Sequence, residues 1–197
     1  MANPQSPPPA ATDSIDLSNH FLLAMPTMAD PNFSGAVVLI AEHNDRGALG
    51  LVVNKPTTMT LAGLLERIDL TRHDESQADA PVFYGGPVQT DRGFVLHQPQ
   101  GQWNSTVAIS RDIALTTSKD VLEAVADGSG PPRLLVTLGC AGWGPGQLEA
   151  EIGQNAWLTI EADAELLFET PVEERFQQAY RRLGVDPALL PPAAGHA

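Results

Sequence analysis

The sequence predicts a single-domain α+β fold with a largely antiparallel sheet. Short apolar strand patterns outnumber helical patterns along the 197 residues. Most connections between the strand patterns are too short to contain the crossover helix that parallel neighbours require. No linker rich in Pro, Gly or Ser and no internal repeat divides the chain. We therefore predict one domain over residues 15–190, between flexible tails at 1–14 and 191–197.

The clearest strand pair is predicted from β-branched residues in the first third of the chain. The run at 36–41 contains Val37, Val38 and Ile40, and a polar turn separates it from a second apolar run at 48–53. So short a connection predicts an antiparallel hairpin. Further strands are predicted at 21–24, 82–84, 94–96, 106–109, 113–115, 134–138, 157–160 and 166–168.

Four short flanking helices are predicted, and three of them follow a start signal. Thr60 precedes a helical pattern that ends at Ile68, and Ser118 precedes one at 119–126. A third helix is predicted at 147–152. The last begins at a capping box over 170–173, with Pro171 at its first helical position, and ends before Gly184.

The charge of the chain argues against direct nucleic-acid binding. It has 24 acidic and 11 basic side chains, which give a formal net charge of −13. Phosphate backbones are bound through clusters of Lys and Arg. The densest basic group, Arg175, Arg181 and Arg182, is interleaved with Glu173 and Glu174, which is typical of a solvated helix face.

The composition also indicates the expected cellular setting. No apolar run approaches the roughly 20 residues that span a bilayer, and residues 1–10 show no secretory signal. A cytoplasmic location without membrane contact is therefore the expectation. Cys140 is the single cysteine, which excludes an intrachain disulfide and a cysteine-rich zinc site.

The most distinctive segment is the glycine-rich stretch at 138–149, which surrounds Trp143. A strand pattern precedes it, a short helix follows it, and its glycines at 139, 142, 144 and 146 are typical of sharply turning backbone. Such a segment can direct backbone N–H groups at an anion. Its spacing matches neither a P-loop nor a dinucleotide fingerprint, and Glu149 and Glu151 would repel a phosphate. Tight-turn packing around Trp143 is the favoured interpretation.

Four ordered blocks of sequence resemble one family of bacterial proteins. The blocks lie at 24–33 with 47–56, at 84–88, at 92–97, and at 142–149 with 155–158. Together they resemble the AlgH family, also called YqgE, over roughly residues 17–170. The resemblance implies a split β-sheet curled into a barrel-like core. It implies no reaction, and the family's usual label of transcriptional regulator comes from a link to alginate production in one lineage.

Cys140 is a candidate nucleophile. A thiol near a helix N-terminus can become a reactive thiolate, and His97 or His43 could act as its base if the fold brought either within reach. A cysteine that follows an apolar strand is more typical of a small buried residue, and burial is the favoured interpretation. The AlgH family more often has Tyr at this position, so the resemblance gives the thiol no role.

Arg92 and His97 flank the strand pattern at 94–96. Because side chains alternate along a strand, the two face opposite ways, and a single site built from both is not expected. Arg92 near Gly85 and Gly86 could bind a small acid, although an ion pair with Asp91 or a glutamate is favoured.

No metal or cofactor is predicted. The histidines at 20, 43, 73, 97 and 196 form neither an i,i+4 pair nor an HExxH pattern. The acids Glu149, Glu151, Glu173 and Glu174 are interpreted as helix-start charges that the helix dipole favours.

Two functional hypotheses remain open. The first is a non-enzymatic cytosolic protein that acts through an unidentified protein partner, with a role that extends to transcriptional regulation. The second is a small-molecule-binding protein or enzyme with a pocket near Gly85, Gly86, Arg92 and Trp143. The candidate ligand or partner surface consists of Gly85, Gly86, Arg92, Cys140, Trp143 and Gly144.

Overall fold

A sheet curled into a half-barrel forms the frame of the protein. The computed structural model describes residues 15–190, so the predicted tails lie outside the described residues. Within this range the sheet has ten strands. They are β1 His20–Ala24, β2 Val37–Asn44, β3 Gly47–Val52, β4 Pro56–Thr60, β5 Pro81–Tyr84, β6 Val88–Gln98, β7 Thr106–Ala108, β8 Ala114–Thr116, β9 Arg133–Trp143 and β10 Trp157–Glu161.

Strand β9 joins the two parts of the sheet. Its carboxyl-terminal end pairs with β3, while the preceding residues pair with β6 on one side and β5 on the other. The strand order is β10-β1-β2-β3-β9-β6-β8-β7, and β5 and β4 branch from β9. Paired strands are antiparallel except β5 and β9, which are parallel. The predicted α+β class, with a mostly antiparallel sheet curled into a barrel-like core, is confirmed.

Within residues 15–190, five short α-helices cover the sheet. They are α1 Leu61–Arg67, α2 Asp120–Asp127, α3 Gln147–Gly153, α4 Ala164–Phe168 and α5 Val172–Arg182. Thr60 caps α1 as predicted, because its Oγ1 accepts a hydrogen bond from the Gly63 N–H at 3.2 Å. Ser118 does not cap α2, since its hydroxyl donates to Asp120 and the helix begins after Lys119. The predicted capping box of α5 is also wrong, since Pro171 precedes the helix and the Thr170 hydroxyl donates to the Glu165 carbonyl.

One predicted strand is a helix, and another extends further than predicted. The apolar residues at 166–168 belong to helix α4, which Asp163 caps by accepting the Leu166 N–H at 2.8 Å. The strand predicted at 134–138 continues through Gly139 to Trp143, so the first half of the glycine-rich stretch, at 138–143, belongs to a strand. The positive φ that the glycines indicated is present at Gly139, at +80°, and at Gly146, at +72°. Gly142 instead lies in strand, where β3 pairs with it.

Alternation along the strands divides the apolar side chains into three clusters. The interior cluster fills the half-barrel, and it includes Phe21 and Leu39 together with residues of α4 and α5. An outer cluster beneath α3 contains Trp143 and Trp157. A third cluster packs α1 and α2 against β5, β6 and β9. Each cluster removes apolar area from water, at roughly 25 cal/mol per Å².

Two buried polar side chains attach α5 to the half-barrel. The Tyr180 hydroxyl donates to the Ala24 carbonyl at 2.7 Å, and burial raises its pKa to about 12. Arg175 Nη1 donates to the Val53 carbonyl at 2.5 Å, and its guanidinium lies over the Phe83 ring. Burial lowers the pKa of Arg175 to about 10. Both contacts satisfy carbonyl groups near strand ends, where an unpaired buried acceptor would be costly.

Two consecutive glycines bring the link between β5 and β6 into direct contact with β9. A β-carbon at Gly85 would lie 2.1 Å from the Gly139 carbonyl oxygen, and one at Gly86 would lie 2.3 Å from the Cys140 carbonyl carbon. The Gly85 N–H donates to the Leu138 carbonyl at 2.8 Å. Only glycine permits this approach without displacement of the backbone.

We predict that Gly85→Ala lowers the free energy of unfolding by about 3 kcal/mol, because backbone atoms cannot move aside as a flexible side chain can. The matched control is Gly142→Ala, where a β-carbon meets nothing within 4 Å. This control should be neutral or stabilising by up to about 1 kcal/mol. Urea unfolding measures both, and similar values for the two variants would contradict the prediction.

Candidate functional site

The structure divides the six candidate residues between the two faces of β9. Gly85 lies against the Gly139 carbonyl and Gly86 against the Cys140 carbonyl, and Cys140 belongs to the interior cluster. Trp143 belongs to the outer cluster, and Gly144 is exposed beyond the end of the strand. The pocket predicted near Gly85, Gly86, Arg92 and Trp143 is therefore not a single enclosure.

Arg92 lines a cavity of about 190 Å³ at the open end of the half-barrel, which we call the mouth cavity. One wall comes from β2 and β3 and includes Leu49. The opposite wall comes from β7 and β8 and includes Val107 and Leu115, while Arg92 and Phe94 of β6 lie between the two. The curl of the sheet brings these walls together, since β3 and β7 are not neighbours in the strand order. Barrel mouths are frequent binding sites.

An irregularity in β6 places Arg92 at this cavity. Val88 pairs with Cys140 and Gly93 pairs with Leu138, so five steps along β6 correspond to two along β9. The extra residues form a bulge, and bulges re-aim side chains beside functional sites. Nothing in the local sequence marks this bulge, because Gln89 adopts a positive φ without being glycine or asparagine.

The Arg92 guanidinium retains free hydrogen-bonding capacity. It lies 5.5 Å from the centroid of the Phe94 ring, and Nη1 donates to Gln89 Oε1 at 3.1 Å. Among residues 15–190 no carboxylate lies within 4 Å of it, so the expected ion pair with Asp91 or a glutamate is not formed. Glu42 is the one acidic side chain that lines the mouth cavity.

Cys140 has the surroundings of a structural residue. It lies within strand β9, is 1% exposed, and belongs to the interior cluster. Burial raises the pKa of its thiol, and the positive charge of Arg92 offsets this only in part. The neutral thiol is therefore favoured, which opposes the nucleophile interpretation.

Neither histidine considered as a base for Cys140 is directed at it. His97 is fully buried; its Nδ1–H donates to the Pro99 carbonyl, and its Nε2 accepts from the Thr116 hydroxyl at 2.8 Å. The His43 ring contacts the Leu17 N–H and Glu149 Oε1. As predicted, His97 and Arg92 face opposite sides of β6, because His97 packs against Trp103 while Arg92 covers Phe94.

Trp143 takes part in a polar contact that sequence reasoning missed. Glu151 Oε2 accepts hydrogen bonds from the indole N–H groups of both Trp143, at 2.9 Å, and Trp157, at 2.8 Å. The two rings meet edge to face, with centroids 6.1 Å apart. The carboxylate of Glu151 thereby joins β9, α3 and β10. The only sequence signal is an acid on the helix that follows Trp143.

The glycine-rich turn has little capacity for an anion. The Gly144 N–H already donates to Gln147 Oε1 at 3.0 Å. Helix α3 has only seven residues, and Glu149 lies in its first turn. The contacts of Trp143 support packing as the role of this segment.

Two further searches cover residues 15–190. No three side chains of His, Cys, Asp or Glu in that range are grouped so that they could hold a metal ion. None of the described helices combines the length and the apolarity that a bilayer crossing needs.

The four sequence blocks come together around β9, and comparison with known proteins gives their family. A sequence profile of the AlgH-like family matches residues 21–188. The chain belongs to the AlgH-like family. Its relatives include the UPF0301 protein of Bordetella petrii, 58% identical over 93% of this chain and 91% of that protein. The UPF0301 protein of Ralstonia nicotianae is 55% identical over the full length of both chains.

Two solved structures are similar to this AlgH-like protein. The solution structure of AlgH from Pseudomonas aeruginosa is 47% identical, with a TM-score of 0.76 over 98% of this chain and 100% of that one. A crystal structure from Corynebacterium diphtheriae is 18% identical and has a TM-score of 0.65, over 86% of this chain and 88% of that one. The second shares the fold alone. The resemblance predicted from the four blocks is confirmed.

We predict that Glu151→Ala lowers the free energy of unfolding by about 2 kcal/mol, because two indole N–H groups lose a charged acceptor. Urea unfolding followed by tryptophan fluorescence measures the loss. The matched control is Glu161→Ala, an exposed carboxylate on β10, which should change stability by less than about 0.5 kcal/mol. An equal loss in both variants would show that the indole contacts contribute nothing specific.

We predict that His97 makes stability depend on pH. Burial lowers the pKa of His97 below its usual 6.5. As pH falls below 6.5, His97 becomes protonated in the unfolded chain but stays neutral in the folded protein, so the free energy of unfolding falls. Above pH 6.5 the histidine is neutral in both states, and the folded protein keeps its full stability. Urea unfolding between about pH 5 and about pH 7.5 should show this slope reduced in His97→Gln and unchanged in the exposed control His73→Gln. Identical slopes in all three proteins would refute it.

Proposed function

We propose that this AlgH-like protein is a non-enzymatic binding protein that acts through a protein partner, and that the mouth cavity receives the partner. The observation that carries this proposal is an arginine without an ion-pair partner in a small, partly apolar cavity. The cytoplasm is the proposed setting.

The size of the mouth cavity favours one inserted side chain of a partner over a typical metabolite. Small-molecule pockets usually enclose about 300–1,000 Å³. The mouth cavity encloses about 190 Å³. Protein interfaces often place one anchoring side chain in a pocket of this kind and surround it with weaker contacts.

The surroundings of the mouth cavity support a docking surface. Val107 on β7 is 57% exposed and Val88 at the start of β6 is 43% exposed, so both could contribute apolar area to an interface. Arg92 supplies a charge that an acidic or carboxylate group of the partner would match.

The groups that could perform chemistry support binding rather than catalysis. The Cys140 thiol is buried with a raised pKa, His97 is held between Pro99 and Thr116, and His43 is engaged by Glu149. A nucleophile needs a base within hydrogen-bonding reach, and these residues have other partners.

A role in transcription would be indirect under this proposal. The formal net charge of −13 opposes contact with DNA. Regulation would then pass through the protein partner.

A small-molecule binder is the second candidate function, and Arg92 is the observation that favours it. A compact organic acid could fill the mouth cavity and meet the guanidinium. A thermal-shift screen separates the candidates, since a ligand at 100 times its Kd adds about 2.7 kcal/mol of stability. A compound that stabilises the wild type but not Arg92→Gln would favour this second function.

The main proposal predicts that Val107→Asp disrupts partner binding. A protein recovered from native lysate on the immobilised wild type should be lost on Val107→Asp, because an added carboxylate would face the interface. With that partner purified, we expect binding at least about tenfold weaker for Val107→Asp.

The matched control is Ile15→Asp, which places the same charge on a residue that is 73% exposed and does not line the mouth cavity. This variant should bind as the wild type does. Equal weakening in both variants, or failure to recover any protein that binds the wild type after purification, would count against the proposal.

A further inference from the structure

A second cavity, of about 270 Å³, lies on the other side of Arg92, and we call it the rim cavity. Arg92 on β6 and Thr117, directly after β8, line both cavities, so the two cavities adjoin at these residues. Lys119 lines the rim cavity but not the mouth cavity. The apolar wall of the rim cavity comes from Ile68, Val95 and Leu122.

The rim cavity is locally basic on a strongly acidic protein. Two of the eleven Lys and Arg side chains line it, and none of the residues that line it is acidic. Within residues 15–190, neither Arg92 nor Lys119 forms an ion pair. Two cations left without carboxylate partners beside one cavity favour an anionic ligand.

Hydrogen-bond donors accompany the two charges. Arg92 uses one N–H group on Gln89, which leaves other guanidinium donors available. Among the described residues the Thr117 hydroxyl has no hydrogen-bond partner, and neither has the Lys119 ammonium. The nearby Asp120 carboxylate is already engaged by the Ser118 hydroxyl and the Asn104 N–H.

We infer that the rim cavity binds a phosphate monoester on a short aliphatic arm. Two flanking cations match a dianion better than a carboxylate, which has a single charge, because each cation adds a charge-assisted hydrogen bond. The apolar wall of Ile68, Val95 and Leu122 accommodates the arm. The cavity volume limits the ligand to a compact group, such as the side chain of a phosphoserine or a small free phosphate ester.

This inference goes beyond the proposed partner function, because the rim cavity needs no partner in order to bind phosphate. The test is a titration of the full chain with O-phosphoserine, observed by amide chemical shifts at low ionic strength. Shifts should concentrate at residues 92–95 and 116–119. Inorganic phosphate should give the same pattern, while serine and acetate should give none; acetate binding as strong as that of phosphate would overturn the assigned class.

Variants then test the two cations. Arg92→Gln and Lys119→Gln should each weaken phosphoserine binding by about tenfold, and Arg92→Lys should retain most of it because the charge remains. The control is Arg181→Gln, which removes the same charge from an exposed position on α5. The amide spectrum of each variant also reports whether it is folded.

The outcomes distinguish a specific site from a general effect of charge. They also distinguish the two sources of the phosphate, a protein and a metabolite. Equal weakening in all three glutamine variants, or shifts elsewhere on the surface, would overturn the inference. Tighter binding of a phosphoserine peptide than of free O-phosphoserine would assign the source to a protein, and the reverse order would assign it to a metabolite. Loss of partner binding in Val107→Asp with normal phosphoserine binding would leave both conclusions standing independently.

Discussion

The close contact between two backbone segments, at Gly85 with Gly86 and at Gly139 with Cys140, determines the geometry of this half-barrel. It lets β5 lie parallel to β9 in a sheet that is otherwise antiparallel. The chain then continues directly into β6, and β6 pairs with the opposite edge of β9. The bulge at the start of β6 packs over Gly139, where a β-carbon would lie 3.3 Å from the α-carbon of Thr90. The position of Arg92 therefore follows from a backbone constraint, since no ion pair within residues 15–190 holds it there.

Several buried or half-buried polar side chains stabilise the fold through specific partners. Tyr180 and Arg175 complete carbonyl groups of the sheet, and Glu151 receives two indole N–H groups. His97, Thr116 and Thr106 form a series of side-chain hydrogen bonds, in which the Thr106 and Thr116 hydroxyls contact each other. A buried polar group without a partner would lower stability by about 1–3 kcal/mol. The hydrogen bonds of these residues are therefore needed for stability, which leaves the residues little freedom to act on a substrate. Arg92 differs from them because its position at a cavity leaves donors available.

Local sequence predicts the elements of this fold better than the contacts that build the site. β-Branched runs indicated the β2–β3 hairpin, and Thr60 marked the start of α1. Apolar residues at 166–168 fit a strand or a helix equally well over so short a length, and only the cap from Asp163 decides between them. Gly139 lies against the Gly86 carbonyl oxygen with a positive φ, whereas a β-carbon at Gly142 would meet nothing within 4 Å, and only the tertiary structure distinguishes the two glycines. The placement of Glu151 between two indoles, and of Arg92 between two cavities, likewise depends on residues far apart in sequence.

The acidic surface constrains how an anion could reach Arg92. A net charge of −13 repels anions at long range, but this repulsion is screened beyond about 8 Å at physiological ionic strength. Arg92 and Lys119 are both exposed, but their contacts with a bound anion would act within a few ångströms, which is shorter than this screening length. Binding strength at this position is therefore governed by local donors and shape. The surrounding negative charge slows the approach of every anion and opposes a dianion more than a monoanion. A preference for phosphate over a carboxylate must therefore come from the contacts of Arg92 and Lys119 themselves.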